Sequence, residues 1–352
     1  MDYKKEIDDL VNLILKEGAS DLHLSTGRVP IIRASGNLIP LMKKPVLKDV
    51  DMKGFVDIFL NPASRELLAT AKDVDFSYSL TNARFRGNVY FHQGLVSIAL
   101  RLIPKAIRTL SELNLPPILE TFTRKPQGFF LCVGPIGQGK TTTLATLVEI
   151  INQTRAEHIL TIEDPIEYLF ESKKSIIDQR EVRMDTPDFH NALTAMFRED
   201  IDVAMVGEMR DNNTIATAVT AAETGHLILS TLHTNNAAQT VDRIIDSFPP
   251  SQQDQIRVQL AGSLSGIFSQ RLIPRISGGL IPAYELLIAN NAVSNLIRER
   301  RTHEINTVIE TSSQEGMIDM NRSLAELVRA GEITVESAYI NSLNPKTLER
   351  MI

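Results

Sequence analysis

The sequence predicts the α/β class: an N-terminal α+β module, then a larger domain on a parallel sheet, then a helical C-terminal part. Three observations carry that expectation. The stretch Gly134-Pro135-Ile136-Gly137-Gln138-Gly139-Lys140-Thr141 follows the apolar run 129–133 and precedes a helical stretch opening with Thr142, Thr143 and Leu144. From Gly128 onward, apolar runs at 128–133, 158–162, 202–206 and 227–232 alternate with helical sequence, which implies parallel strands with helices on both faces. The chain has 352 residues, and at about 150 residues per domain that length suggests two domains.

Taken in order, residues 1–18 set Asp, Glu and Lys between Ile7, Leu10, Val11, Ile14 and Leu15. That is the spacing of an amphipathic helix and not of a signal-peptide core. Short strands are expected at 21–25 and 31–34 with a turn at Gly36-Asn37, then helices over 49–60 and 63–70. Residues 84–92 and 96–103 alternate apolar with polar, as two strands joined through Gln93-Gly94-Leu95 do. Pro104, Pro116 and Pro117 bracket a connector, so the expected limits are 1–103 for the first domain, 104–117 for the connector and 118–352 for the second domain. Beyond Pro249, helices are expected over 252–272, 292–301, 320–330 and 334–342.

Composition narrows the function classes. Hydrophobic residues make up 43% and charged residues 23%, values of an ordinary globular protein, and the formal net charge is −6. No sequence-wide basic field exists to hold nucleic acid, so no nucleic-acid partner is expected. Cys132 is the only cysteine, which rules out an intrachain disulfide and a four-cysteine zinc site, and its place in an apolar strand marks it as a small buried hydrophobe. No run approaches 18 apolar residues, so no bilayer span is expected. A cytoplasmic protein follows, with any membrane association made through a partner.

The Gly-rich loop is a phosphate cradle. Its glycines let successive main-chain N–H groups turn toward one anion, and the helix N-terminus adds partial positive charge. Lys140 is placed to reach the β- and γ-phosphates and the Thr141 hydroxyl to ligate Mg²⁺, so ATP and Mg²⁺ are the expected cofactors, held by residues 134–142. Ligands of such sheets bind beyond the carboxyl ends of the strands. There the second run ends at Glu163, expected to polarise water as general base, and the third at Glu208, expected to hold Mg²⁺ or its waters. The fourth ends in Thr231-Leu232-His233-Thr234-Asn235, whose imidazole can contact the γ-phosphate. The bland alternative for either acid is a solvated carboxylate capping a helix, and His226, just before the fourth strand, is expected to pack or cap. In the hairpin, a turn centred between Gln93 and Gly94 sets Arg86 opposite Arg101. Like charges facing one another destabilise a sheet. The pair makes sense with an anion nearby, such as the phosphates of a neighbouring subunit's ATP, or else as two solvated arginines on an exposed face.

Together these stretches resemble the type IV pilus retraction ATPases of the PilT family, within the secretion-ATPase superfamily. The similarity spans nearly the whole chain. It rests on Gly18–Leu24, Gly134–Thr143, Thr161–Tyr168, Val206–Asp211, Thr231–Asn235 continuing to Pro249, and Ala292–Glu299. The resemblance implies a PAS-like N-terminal domain, a RecA-like P-loop motor domain and a ring of six subunits with ATP between domains. It also implies Glu163 as catalytic glutamate, Glu208 as Walker B acid, His233 as nucleotide sensor, and Arg86 and Arg101 as arginine fingers. The implied partners are further copies of the chain, an inner-membrane pilus platform protein (PilC-like) and a paralogous retraction ATPase. The implied location is cytoplasmic, at the inner face of the membrane. The chain departs from the usual Thr-Gly-Ser-Gly-Lys-Ser with Ile136-Gly137-Gln138-Gly139-Lys140-Thr141, and from Asp-Pro-Asp with Asp200-Ile201-Asp202. Ser294 stands where an arginine is often found, which weakens the distinction from the accessory paralogue PilU. The rival readings are a PilU-like accessory subunit and a secretion or DNA-translocation motor on the same fold.

Overall fold

A computed structural model of the chain describes residues 2–34, 36–80, 83–103 and 106–352; Pro104, at the head of the expected connector, lies outside the described residues. Two compact units emerge, one of residues 1–106 with 165–169, the other of residues 107–164 and 170–352.

The first unit opens with helix α1 (Tyr3–Glu17), capped by the Asp2 side chain and closed by Gly18 in the left-handed region at φ 59°. Strands β1 (Ala19–Ser25), β2 (Ile31–Ala34) and β3 (Asn37–Pro40) follow, then helices α2 (Asp49–Phe59) and α3 (Pro62–Ala71), and strands β4 (Asp73–Leu80), β5 (Ala83–His92) and β6 (Leu95–Ile103). They form a six-stranded sheet in the order β3-β2-β1-β6-β5-β4. Every pairing in it is antiparallel. Ile7, Leu10 and Ile14 of α1 and Phe55 of α2 pack in one core with Leu22, Phe85, Val89 and Ile98 of the strands. The strand β4 was not expected, although Val74, Phe76, Tyr78 and Leu80 alternate with Asp73, Asp75, Ser77 and Ser79.

In the second unit, the short helix α4 (Glu120–Thr123) leads to strand β7 (Gly128–Val133) and helix α5 (Lys140–Thr154). Then come β8 (His158–Glu163), β9 (Ile176–Glu181), α6 (Phe189–Ala195), β10 (Val203–Val206), α7 (Asn212–Glu223), β11 (Leu227–Leu232), α8 (Ala237–Asp246), α9 (Pro250–Ser263), β12 (Leu264–Pro274) and β13 (Leu280–Ile288). The helices α10 (Asn291–Arg298), α11 (Ile305–Thr311), α12 (Met320–Arg329), α13 (Val335–Asn341) and α14 (Pro345–Glu349) complete the chain. The seven-stranded sheet runs β13-β12-β7-β11-β10-β8-β9. All its pairings are parallel except that of β13 with β12. Every residue of β7, β10 and β11 is buried, which is why these strands read as unbroken apolar runs rather than alternations. The fold is thus α/β, an N-terminal α+β part followed by a RecA-like domain. The first division falls at residue 106, and Leu110 and Leu115 already pack in the second unit's core.

One expectation is corrected. The helix expected over 252–272 stops at Ser263, and residues 264–274 form β12, paired with β7 inside the sheet. A short buried apolar run looks the same to periodicity whether helical or extended. Here the long-range place beside β7 decides: a Cβ on Gly266 would come within 2.9 Å of the Leu287 carbonyl oxygen on β13, an approach only glycine allows.

Candidate nucleotide site

The site is built where β7 ends. At Gly134 the backbone turns at φ 145°, and a Cβ there would lie 2.4 Å from the Gln270 carbonyl oxygen of β12, so glycine is required on both counts. The loop then curls back over its own lysine. The Lys140 ammonium, 7% exposed, donates to the carbonyls of Gly134 and Pro135, each at 2.7 Å. It also lies 3.3 Å from His233 Nδ1. Gly139, at φ 78°, is the residue before α5, so Thr141 and Thr142 occupy the first turn of that helix, and Ile136 is exposed at the loop tip.

Beside the loop, β11, β10 and β8 end side by side in parallel register, Ser230 with Val206 and Val206 with Ile162. Thr231 ties the first two ends together by donating its hydroxyl to the Gly207 carbonyl at 2.6 Å. Glu163, the last residue of β8, is 2% exposed and accepts from the Thr161 hydroxyl at 2.8 Å and from Gln179 Nε2 at 3.2 Å. Glu208 pairs with Arg210 and lies 3.5 Å from His233 Nε2. Burial alone would raise the Glu208 carboxyl; Arg210 above all, and His233 behind it, reverse this and hold it below the ordinary carboxylate range. Arg210 also faces Asp164 at 3.8 Å, as Arg183 does at 3.6 Å. A line of contacts therefore runs Lys140, His233, Glu208, Arg210, Asp164.

The far wall comes from β12, and sequence reasoning missed it. Gln270 accepts from the Thr143 hydroxyl and donates to the Gln138 carbonyl, while the next residue back, Ser269, donates to the Asn235 carbonyl in the turn after β11. Arg210, Asp164, Arg183 and Gln179 also went unassigned. Arg210 could have been found, because a cation two residues beyond a strand-end acid is well placed to meet it. His226 packs and caps as expected: Nδ1 lies 3.0 Å from the Ala221 carbonyl and the ring meets Phe197 edge-on.

In the first unit Arg86 and Arg101 do face one another across β5 and β6. The anion beside them is internal. Asp21 on β1 accepts from Arg101 Nε at 2.9 Å, and its carboxyl is held low by Ser20 and Arg101 in spite of burial, which pushes it up. Arg86 stays exposed.

A family model described as Type II/IV secretion system protein matches residues 92–338. The chain belongs to that family. Among members of the secretion family it is 40% identical to the type IV pilus retraction ATPase PilT of Pseudomonas aeruginosa, over 95% of this chain and 97% of that protein. Against the type IV pilus ATPase PilU of the same organism the identity is 35%, over 99% of this chain and 91% of PilU. A crystal structure described as the pilus retraction motor PilT with bound ADP superposes with a TM-score of 0.91 at 43% identity, covering 97% of this chain and 98% of that one. In this secretion-family chain, the described residues contain no group of three or more His, Cys, Asp or Glu placed to hold a metal ion.

Proposed function

We propose that the chain is an ATP-hydrolysing motor subunit acting in a ring of six to power retraction of a type IV pilus. The observation that carries this reading is the line from Lys140 through His233 to Glu208, at 3.3 Å and 3.5 Å, beside a glycine loop curled over Lys140. Main-chain N–H groups of residues 134–142 bind the phosphates, and Lys140 neutralises the β- and γ-oxygens. Glu163 orients and deprotonates the attacking water. His233 registers the γ-phosphate, because the imidazole can exchange its contacts with Lys140 and Glu208 for one to the anion. Arg86 and Arg101 reach the phosphates of a neighbouring subunit, Arg101 by leaving Asp21.

The donors fit Mg²⁺: the Thr141 hydroxyl and Glu208 carboxylate are hard oxygens, and two such groups suit an ion that keeps waters and takes its other ligands from phosphate. Bound there, it would offset phosphate charge. No described helix is long and apolar enough to cross a membrane, which supports a cytoplasmic motor meeting the inner membrane through a platform protein. The limits 1–103, 104–117 and 118–352 belong to the same proposal.

A PilU-like accessory role is the second reading, favoured by Ser294, whose hydroxyl is spent on the Ala261 carbonyl at 2.8 Å. ATP turnover measured alongside particle mass, with and without nucleotide, tests the first. A monomer that never hydrolyses ATP overturns it, and turnover in a six-membered ring that cannot restore retraction to cells lacking PilT supports the second.

A further inference from the structure

β12 outruns β7. Their pairing ends at Val133 with Ser269, because the chain leaves β7 for the phosphate loop, whereas β12 continues beside β13 to Pro274. On the side vacated by β7, the main chain of β12 has no strand to meet. On the other side Leu272 stands opposite Pro282, which has no N–H of its own. The loop takes the vacant place. The Leu272 N–H donates to Gln138 Oε1 at 2.6 Å, and Gln270 Nε2 donates to the Gln138 carbonyl at 2.8 Å. Gln270 Oε1 accepts from the Thr143 hydroxyl of α5 at 2.7 Å. A carbonyl can only accept, so the amide nitrogen of Gln270 must face Gln138 and its oxygen Thr143. Gln270 is 3% exposed and Thr143 is 1% exposed, so water cannot stand in for a lost partner.

We propose that Gln138 and Gln270 form a clasp that fixes the phosphate loop in its binding shape and thereby sets how tightly nucleotide is held and how fast it leaves. Both are positioning residues. The inference rests on the reading of residues 134–142 as the nucleotide cradle. The GxxxxGK[ST] spacing leaves position 138 open, and a serine there, as in the usual family pattern, is too short to span the gap to the Leu272 N–H. The side-chain half of the clasp is therefore a feature of this sequence. Because the clasp shapes the part of the loop that meets the β-phosphate, it acts on ADP and ATP alike. Removing it raises the ordering cost of binding and so affects KM rather than kcat.

The test uses the full chain with Gln138→Ser, Gln138→Met and Gln270→Met, and Lys140→Ala as reference. Affinity and dissociation rate of a fluorescent ADP analogue are measured by stopped flow, with KM and kcat for ATP. Each Gln138 variant should raise the ADP Kd and the ATP KM about five- to tenfold, the equivalent of one buried hydrogen bond, and Gln270→Met, which loses two, should raise them at least as much, with faster ADP release and the loss falling on KM. The double variant Gln138→Ser/Gln270→Met should cost less than the product of the single effects. Gln138→Met keeps side-chain length and removes the amide, so it separates the hydrogen bond from packing, and the Gln138 variants decide the matter where Gln270→Met fails to fold. Unchanged ADP release and KM in both Gln138 variants, with Lys140→Ala weakened, overturn the clasp and leave the cradle standing. A fall in kcat at constant KM overturns it too, by placing these residues in the chemistry. Undiminished affinity in Lys140→Ala brings down the cradle itself.

Discussion

Lys140 is a nearly buried cation facing two carbonyls and an imidazole, and the acids around it are settled in different ways. Glu163 is buried and accepts from the Thr161 hydroxyl and the Gln179 amide, and Glu208 is kept charged by Arg210. The proposed role of Glu163 as general base makes the first prediction. Glu163→Gln should leave ATP affinity near its original value while turnover falls by about 10²-fold or more, read from single-turnover hydrolysis beside equilibrium binding; hydrolysis close to the parent rate removes Glu163 from that role. Cys132 makes a second prediction. It is completely buried in β7, and burial pushes its thiol up to about 12 despite the charge of Lys140. An aromatic disulfide reagent at pH 8 should leave the folded chain unmodified and titrate one thiol per chain in denaturant; quick labelling of the folded form would show that β7 is not shielded at the sheet's centre.

At the scale of elements, β13 carries a buried carboxyl pushed up to about 7, that of Glu285. Burial is the main cause; the Ala237 N–H at the start of α8 and Arg271 oppose it, and Asp319 adds to it. The folded chain thus keeps a proton that the unfolded chain releases above the ordinary value of 4.5. Stability should fall as pH climbs from there to about 7 and level off beyond. Glu285→Gln keeps an acceptor for Ala237 and removes the titration, so it should abolish the slope and stabilise the chain at pH 8 by about 1–3 kcal/mol, measured by denaturant melts at pH 5 and pH 8. An equal loss at both values would refute it. The sheet to which it belongs explains what the sequence hid. The strands β7, β8, β10 and β11 were legible because parallel burial writes them as apolar runs punctuated by Gly and acid. Three others in that sheet were not, β13 among them, for which no element was expected. Residues 264–274 look helical until β7 is beside them, and β9 reads Ile-Ile-Asp-Gln-Arg-Glu with no alternation because it is an edge strand buried only at its end.

At the scale of the whole molecule, loop, acids and His233 were legible because the strand-end rule collects them on one edge. The Arg86–Arg101 register was legible too, since a two-residue turn fixes it. What answers that pair of charges was not, because Asp21 is distant in sequence and arrives only through the pairing of β1 with β6. Fingers supplied across a ring make a distinctive prediction: chains carrying Arg101→Ala and chains carrying Glu163→Gln, each inactive alone, should recover part of their ATPase when mixed, since some interfaces then combine an intact arginine with an intact base. Absence of recovery in rings shown by native mass spectrometry to contain both chains contradicts it.

Consecutive residues of β12 hold two different loops, Ser269 the turn after β11 and Gln270 the phosphate loop. Any slippage of that strand by one position would exchange their directions and release both at once. In heavy water, amides of the two loops should accordingly lose protection together, as one cooperative opening, even though about a hundred residues of chain separate them.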